Sequence, residues 1–325
     1  MQLPPPARYA MDAAQAIGAD YQDLDAGGGY LFRVSRNGRS VLAGGGGVSA
    51  YPVNSAAGFT IARDKSHTKS VLRAAGLPHI PGGLFFAHKR RVSMRGPGRE
   101  IEDAQVFAAA LGFPVFCKPN QGGRGNFAEI ISSEQALGDY ARRLAVEFES
   151  FVVEPLIIAD EHRVFVQDGR ALFHYSKTAP SLVGDGFSTV AELLRAFNAR
   201  LEGTGVSPCP EAVLESLEEP ADAVPVAGQT VALPGRRNLH AAGDSETVTT
   251  EVPPVLADIA IRATEAVGLR IGAVDLFDAS PARDFSEALV IEVNGNPGLE
   301  TLERAGRTDL IRQIWVDMLV DCLER

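Results

Sequence analysis

The stretch that most constrains the fold lies near the C-terminus and reads LVIEVNGNPGLE, from Leu289 to Glu300. Its apolar run alternates into Glu292 and Asn294 and then stops in a Gly/Pro turn. That pattern predicts a strand with both polar side chains on one face. Carboxylate and amide oxygens are ligands that Mg²⁺ takes beside substrate phosphates. The stretch therefore predicts a strand end that carries two metal-type oxygen donors.

Asp275 is the predicted third donor. It ends the apolar run Ile271 to Val274, which predicts a neighbouring strand. Taken singly, an Asp or Glu at a strand end is as often a solvated surface charge as a metal ligand. The motifs upstream favour the metal site.

The composition is that of an ordinary globular protein. The chain has 325 residues, of which 45% are hydrophobic and 22% charged, so a length-based prior gives two or three domains. The formal net charge is −10, and no dense Lys/Arg cluster interrupts it, so nucleic acid is not a predicted partner. Acidic balance of this kind concerns solubility and says little about the fold.

The cysteines and the N-terminus predict a cytoplasmic protein. Cys117, Cys209 and Cys322 are far apart and form no CxxC pair, which argues against a disulfide framework or a thiolate zinc site. The N-terminal residues show no basic segment followed by an apolar one, and no run approaches the length of a membrane span. The sequence therefore predicts no membrane partner.

The first part of the chain predicts a short α/β lobe over residues 1–62. A helical pattern near 10–17 is followed by strand-like pieces at 30–34 and 40–42. The glycine run 44–47 has no Lys-Ser/Thr after it, so a flexible turn is favoured over a phosphate loop.

A capped helix follows this lobe. Asp64 is placed to cap a helix that ends at Gly76. Lys65 and Lys69 are four residues apart and share one helix face. That face is either a solvated basic surface or a source of a cation for a phosphate.

The segment FPVFCKPNQGGRGNFAEIIS predicts a β-hairpin. A strand carries Lys118, the glycines at 122, 123 and 125 form the tip, and a second strand covers 127–131. A glycine-rich tip offers backbone N–H groups to an anion while a lysine rises from the strand below it, and both features suit a nucleotide triphosphate. Because the loop joins strand to strand, it is neither a P-loop nor a dinucleotide fingerprint.

The segment after the next helix predicts a nucleoside site. Strands are predicted at 151–153 and 163–166, joined by a link that begins at Glu154 and is otherwise apolar up to 158. Backbone groups at Glu154 and Leu156 suit the edge of a purine, and Glu161 is placed to take ribose hydroxyls. Alternatively, Glu161 and Arg163 form a surface strand pair with balanced charges.

The remaining segments fill in the organisation. Residues 84–100 predict an exposed loop or hairpin, and 199–230 an insertion near the substrate side. The last helix has an apolar face that predicts core packing, with a dimer contact as the minor alternative. Helices are predicted at Ile101–Leu111, at Ser133–Phe148 with Ser133 as cap, at Pro254–Val267 before Gly268, and at Asp309–Leu323.

The order of these motifs, from Lys65 to Asn294, resembles the ATP-grasp carboxylate–amine ligases. Together with LVGDGFSTVAELLRAFN and LPGRRNLHAAGDSETVT, the stretch VIEVNGNPGLE is most similar to the ATP-grasp domain of cyanophycin synthetase and of glutathione-synthetase-like peptide ligases. The chain lacks the Mur-ligase-like half of cyanophycin synthetase and most of its N-terminal domain.

The resemblance implies an ATP-grasp fold of mixed α+β and α/β character, in which two α+β lobes grip ATP after a short N-terminal α/β lobe. It places a small lid subdomain at 63–152. A large subdomain with the metal and substrate site, including the insertion, would cover 153–325.

The resemblance also implies roles for individual residues. The predicted nucleotide contacts are Lys65, Lys118, Gly122, Gly123, Gly125, Asn126, Glu154, Leu156 and Glu161. The predicted ligands of two Mg²⁺ ions, with Mn²⁺ as the alternative metal, are Asp275, Glu292 and Asn294. The residues predicted to surround the transferred phosphoryl group and the acyl phosphate are Arg163, Lys177, Arg236 and Asn238.

The implied activity is ATP-dependent amide formation between a carboxylate, of an amino acid or small peptide, and an amine. ATP converts a poor electrophile into an acyl phosphate, so the site must neutralise phosphoryl charge with Mg²⁺ and cations. Alternatives are an ATP-grasp enzyme with a thiol or hydroxyl acceptor, a kinase, and a non-catalytic nucleotide-binding subunit. Intact acidic and lysine positions argue against the last. Related enzymes suggest a homodimer, and nothing in the composition names the two substrates.

Overall fold

The computed structural model describes residues 3–90, 92–123, 125–157, 159–177, 181–202, 208–209, 211–233 and 248–324. The helices within these ranges are α1 (Pro5–Ala16), α2 (Ala56–Ala62), α3 (Lys65–Ala74), α4 (Ile101–Leu111), α5 (Glu134–Leu144), α6 (Val190–Leu201), α7 (Pro254–Val267), α8 (Glu300–Arg304) and α9 (Thr308–Glu324). The strands are β1 (Asp20–Asp23), β2 (Leu31–Arg36), β3 (Arg39–Gly44), β4 (Gly83–Phe86), β5 (Val115–Pro119), β6 (Glu129–Ile131), β7 (Ser150–Pro155), β8 (Asp160–Gln167), β9 (Arg170–Lys177), β10 (Ser181–Val183), β11 (Thr230–Ala232), β12 (Ile271–Asp278) and β13 (Ala288–Asn294).

The chain divides into two compact units. As far as the ranges are described, the first unit comprises residues 1–79, 162–176 and 245–325, and the second comprises 80–161 and 177–244. Each unit therefore draws on separate parts of the sequence. The subdomain limits at 62 and 152 that the resemblance implies stay predictions.

The first unit is built on a four-stranded sheet in the order β13-β12-β8-β9. Side chains alternate along β12, as they must in a strand. Val274 and Leu276 pack with apolar residues of α7, whereas Ile271 and Ala273 belong to a second core that includes α9. Asp275 has the same parity as Ala273, so it lies on the face toward the second core.

The first unit also contains the N-terminal helix and a three-stranded sheet. Helix α1 precedes the antiparallel sheet β1-β2-β3, and its first turn tolerates proline because those N–H groups have no helical partner. The indole of Trp315 on α9 lies 6.0 to 6.4 Å from the rings of Tyr9, Phe32 and Tyr51. The apolar face of the last helix is therefore core, as predicted.

The second unit contains a four-stranded sheet in the order β4-β7-β5-β6, covered by α4 and α5. The prediction of an exposed loop or hairpin for residues 84–100 was wrong at its start, because Gly83–Phe86 pairs with β7 inside the sheet. This strand is too short for a clear alternating pattern, so its sequence gave no strand signal. Ser133 caps α5 as predicted, since its hydroxyl accepts the N–H of Ala136 at 3.2 Å.

A smaller layer of the second unit joins β10, β11 and α6. Leu182 and Val231 on the two strands pack on α6. The helix begins with a capping box in which Thr189 and Glu192 each bond the other's backbone N–H. Among the described residues, no helix combines the length and the apolar composition that a membrane crossing requires.

Candidate active site

Asp275 and Glu292 lie directly opposite each other on the antiparallel strands β12 and β13. Opposed residues of such a pair have Cβ atoms about 4.5–5.5 Å apart and point to the same side of the sheet. Asn294 pairs with Ala273 and has the same parity as Glu292. The three predicted oxygen donors therefore share one face, as the alternating pattern predicted.

A bulge in β13 directly adjoins this arrangement. The pairing steps from Glu292 opposite Asp275 to Val290 opposite Leu276, which leaves Ile291 as the extra residue. Without the bulge, Val290 would share the face of Glu292; with it, Val290 is buried in the core beside α7. Bulges often re-aim side chains beside active sites.

Arg163 on β8 binds the predicted metal ligand Asp275. Its Nε and Nη2 each donate a hydrogen bond of 2.6 Å to a different oxygen of the carboxylate. Burial by itself lowers the pKa of the guanidinium, but the charge and hydrogen bonds of Asp275, together with Tyr175 and Glu292, outweigh it, so the pKa of Arg163 stands well above its ordinary value. The face thus holds one permanent cation beside two carboxylates.

A small cavity adjoins Arg163. It has a volume of about 10 Å³, about the room that one water molecule needs. Its walls are the sheet face on one side and the turn after β13 on the other, and they comprise Arg163, Phe165, Phe173, Tyr175, Ala273, Pro297, Gly298, Leu299, Thr301 and Leu302.

Asp275, Glu292 and Asn294 offer the kind of oxygen donors that bind a divalent cation. Within the described ranges, no group of three or more His, Cys, Asp or Glu side chains is arranged to hold a metal ion. The predicted set differs from such a group because it combines two carboxylates with the amide of Asn294. The Oδ1 of Asn294 also accepts the N–H of Asn296 at 2.9 Å, which fixes the orientation of the amide. A carboxylate offers about four acceptor positions, and Arg163 uses two of those on Asp275.

The lysines of α3 lie in the first unit. Asp64 caps this helix as predicted, because its Oδ1 accepts the N–H of His67 at 2.9 Å. Lys69 is 5% exposed, and Lys65 is half-buried. The alternative of a solvated basic surface is therefore wrong for Lys69.

Two buried ion pairs mark the second unit. Lys118 Nζ lies 3.1 Å from Glu154 Oε2, and both side chains are buried. Glu154 is part of β7, opposite Phe116, so its prediction as the first residue of a link was wrong. The strand continues to Pro155, and Leu156 directly after it is half-buried.

The second of these pairs joins the ends of β8 and β9. Lys177 Nζ donates to Glu161 Oε1 at 2.6 Å, and Lys177 is 2% exposed. Arg163 binds Asp275 rather than Glu161, so the alternative of a balanced surface pair between Glu161 and Arg163 was wrong.

The predicted glycine-tipped hairpin is formed by β5 and β6, which pair antiparallel. Gly122 and Gly125 have positive φ angles of 122° and 68°, which explains the need for glycine at both. Asn126 donates its N–H to the carbonyl of Gly123 at 3.3 Å within the turn. Arg236 and Asn238, the remaining predicted catalytic residues, lie outside the described residues.

Comparison with known proteins places this geometry in a family context. Residues 222–318 match the family model of the RimK-like ATP-grasp domain. Cyanophycin synthetase of Nostoc sp. is 28% identical over 260 residues, which is 74% of this chain and 27% of that protein. The bifunctional glutathione biosynthesis protein GshAB of Mannheimia succiniciproducens is 30% identical over 258 residues, 73% of this chain and 32% of that protein. The chain thus spans about a quarter to a third of the length of these relatives.

The likeness to solved structures concerns the fold. A bifunctional glutathione synthetase from Pasteurella multocida superposes with a TM-score of 0.51 at 19% identity, over 93% of this chain and 43% of that one. A D-alanine–D-alanine ligase from Bacillus anthracis gives 0.50 at 15% identity, over 83% and 69%.

The fold is the ATP-grasp fold of these structures, and residues 222–318 match an ATP-grasp domain model. More particularly, the chain contains a RimK-like ATP-grasp domain and has cyanophycin synthetase and GshAB among its relatives. The resemblance and the fold class predicted from the sequence are confirmed.

Proposed function

We propose that the protein is an ATP-dependent carboxylate–amine ligase that forms an amide bond and releases ADP and phosphate. The observation that carries this proposal is the shared face of Arg163, Asp275, Glu292 and Asn294, where a buried cation lies beside oxygen donors suited to a divalent metal. The names of the relatives support a substrate that is an amino acid or a short peptide.

In this proposal Asp275, Glu292 and Asn294 hold Mg²⁺. When bound, Mg²⁺ would neutralise charge on the phosphates of ATP. The groups are hard oxygen donors held on two hydrogen-bonded strands, which favours a fixed spacing. Mn²⁺ prefers the same kind of donor and serves as a probe.

The proposed reaction has two steps. A carboxylate oxygen of the first substrate attacks the γ-phosphorus of ATP, the bond to the β–γ bridging oxygen breaks, and ADP leaves with that electron pair. The amine of the second substrate then attacks the acyl carbon, the bond to the phosphate oxygen breaks, and one N–H proton is released. Arg163 and Lys177 are proposed to neutralise the phosphoryl oxygens during both steps, since positioned cations act most strongly where water is excluded.

Residues of the second unit are proposed to bind the nucleotide. Lys118 would contact the phosphates, and the hairpin tip that contains Gly122 would offer its backbone N–H groups to them. The backbone at Glu154 and Leu156 would bind adenine, and Glu161 the ribose. The ion pairs of Lys118 with Glu154 and of Lys177 with Glu161 support these roles because they hold each lysine in a fixed place.

A cytoplasmic location belongs to the same proposal. None of the cysteines at 117, 209 and 322, all within the described ranges, takes part in a disulfide. Reduced cysteines are the rule in reducing compartments.

ADP release measures this function directly. The protein is incubated with ATP, Mg²⁺ and a panel of amino acids and dipeptides, singly and in pairs, and ADP and the condensed product are followed. We expect ADP release that depends on a carboxylate and an amine together, with an amide product detected by mass spectrometry. Release that never depends on both substrates, or phosphorylated product without an amide, would overturn the ligase assignment.

A further inference from the structure

Asn54 lies in the segment between β3 and α2, and its side chain is bonded to the backbone of the strands that carry the metal donors. Its Nδ2 donates to the carbonyl of Ile271 at 2.8 Å and to that of Gly295 at 3.0 Å. Its Oδ1 accepts the N–H groups of Arg270 at 2.8 Å and of Ile271 at 2.9 Å. One side chain thus joins the start of β12 to the residue that directly follows β13.

These four hydrogen bonds use the full capacity of an amide. A primary amide has two N–H donors and an oxygen with two lone pairs, and here each is engaged. A hydroxyl or a carboxylate cannot reproduce the set, because the first has one donor and an ionised carboxylate has none. The geometry is therefore specific for asparagine.

The residues around Asn54 strengthen the same connection. The N–H of Ala50 donates to Asn296 Oδ1 at 2.9 Å, and Tyr51 Oη donates to the carbonyl of Pro297 at 2.6 Å. On the other side, Ser55 Oγ donates to the carbonyl of Gly268 at 3.0 Å. Gly58 lies so close that a Cβ there would be 2.4 Å from the same carbonyl. The segment 50–58 is thus bonded both to the residues just before β12 and to the turn after β13. Asn54 lies at its centre.

These contacts are close in sequence to the proposed metal donors. Ile271 precedes Asp275 by two strand repeats, and Gly295 directly follows Asn294. The pairing of Ala273 with Asn294 lies between the Asn54 contacts and the opposed pair of Asp275 and Glu292. The pairing register of two strands decides which residues lie opposite each other. The hydrogen bonds of Asn54 hold this end of the strand pair in register, and with it the donors further along the two strands.

We propose that Asn54 is a positioning residue for the metal site: by tying Ile271 to Gly295 it holds Asn294 and Glu292 in place opposite Asp275. The inference rests on the proposed metal-binding role of those three residues. Asn54 itself touches neither metal nor substrate in this account and acts through the strand ends.

Two variants separate the parts of the clamp. Asn54→Ala removes all four bonds. Asn54→Asp keeps the two acceptor positions toward the N–H groups of Arg270 and Ile271 but removes both donors, so it isolates the loss of the bonds to the carbonyls of Ile271 and Gly295. Asn198 offers a matched control in the second unit, where Nδ2 and Oδ1 bond the carbonyl and the N–H of Cys209, both at 2.8 Å. Asn198→Ala and Asn198→Asp repeat the same chemistry away from β12 and β13.

The measurement is the effect of Mg²⁺ on ATP affinity, by isothermal titration calorimetry of the full chain. Each variant is titrated with ATP in Mg²⁺ and in EDTA, at a temperature well below its own Tm. We expect both Asn54 variants to lose about tenfold of the affinity gained from Mg²⁺, with the affinity in EDTA unchanged. Mn²⁺ binding without nucleotide, followed by electron paramagnetic resonance, should weaken in parallel. Both Asn198 variants should match wild type in the Mg²⁺ effect.

A Mg²⁺ effect equal to wild type in both Asn54 variants would overturn the positioning role while leaving the proposed function intact. An equal loss of ATP affinity in EDTA and in Mg²⁺ would also overturn it, because a general structural defect lowers both. If the wild-type protein binds ATP with no dependence on Mg²⁺, the proposed metal site itself fails, and the inference with it. The wild-type titration thus distinguishes the two failures.

Discussion

Arg163 grips Asp275 through two parallel hydrogen bonds of 2.6 Å, and the carboxylate is 2% exposed. The proposed metal ligand therefore already has a cation of the protein at its side. A buried carboxylate without such a partner is costly, since its desolvation is not offset. A divalent cation that binds Asp275 would share that carboxylate with the guanidinium of Arg163.

The first prediction concerns this pair. Arg163→Met should lower the free energy of unfolding by about 3 kcal/mol or more, because it leaves Asp275 buried and uncompensated. Urea unfolding at neutral pH measures the change. The double variant Arg163→Met, Asp275→Leu should recover much of the loss, since replacing both members of a buried pair by apolar residues is often close to neutral.

Arg312 and Asp12 provide the control for this prediction. They form the same two-bonded geometry at 2.7 Å, but their side chains are 60% and 44% exposed. Exposed pairs contribute about 0–1 kcal/mol, so Arg312→Met should have a small effect. Equal losses for the two arginine variants would contradict the importance of burial.

The shared face of Glu292 and Asn294 was predictable because it depends on local patterns. Alternation along a strand placed Glu292 and Asn294 together, and two helices, Ile101–Leu111 and Pro254–Val267, have the predicted bounds. The latter ends where Gly268 takes a left-handed conformation with φ 84°, which only glycine adopts readily. Such boundary signals are read from neighbouring residues alone.

The contacts that the sequence did not reveal join distant positions. Arg163 to Asp275 spans 112 residues, and Asn54 to Gly295 spans 241. Asn54 directly precedes Ser55, which is the cap of α2, so its sequence context indicates only a helix start. The bulge at Ile291 likewise depends on the pairing with β12, and the continuous apolar run from Ala288 to Ile291 does not reveal it.

The second prediction tests the metal ligand Glu292. Glu292→Gln keeps the size of the side chain and removes its charge, so Mg²⁺-dependent turnover should fall by about 100-fold or more, because groups that only support a ligand already cost about 10–100-fold. The Tm should change little. Steady-state ADP release at several Mg²⁺ concentrations measures the effect.

Glu287, exposed in the loop before β13, is the matched control. Glu287→Gln makes the same charge change five residues earlier in the chain and should keep wild-type turnover. A Glu292→Gln protein with the wild-type rate and Mg²⁺ requirement would remove Glu292 from the metal site.

The third prediction concerns Lys118. Lys118→Met should weaken ATP binding by about tenfold or more, which corresponds to about 1.4 kcal/mol. It should also destabilise the second unit, because Glu154 would lose the cation 3.1 Å away. The double variant Lys118→Met, Glu154→Gln should regain stability but not ATP affinity, and calorimetric titration with thermal melts separates the two effects.

Arg143 controls for the loss of a cation from the same unit. Its pair with Glu129 is exposed, at 54% and 32% for the two side chains. Arg143→Met should bind ATP as wild type does. If Lys118→Met retained full ATP affinity, Lys118 would have a structural role only.

The fourth prediction is a pH dependence of stability that originates at His174 on β9. Burial lowers the pKa of its imidazole from the ordinary 6.5, and the backbone of Glu251 only partly opposes the shift. Its Nδ1 is buried without a hydrogen-bond partner among the described residues. Such an environment favours the neutral ring over the charged one. The unfolded chain therefore binds a proton more readily than the folded one.

The sign of the effect follows from this difference. The stabilisation from neutral His174 is fully present above the unfolded pKa of 6.5 and is lost as the pH falls toward the lower pKa of the folded state. Wild-type Tm should thus decline as the pH falls below about 6.5, starting above the range where most carboxylates titrate. His174→Gln should flatten that decline. His67→Gln, at a side chain that is 70% exposed on α3, should retain it. A decline of equal slope in wild type and His174→Gln would assign the pH dependence to other groups.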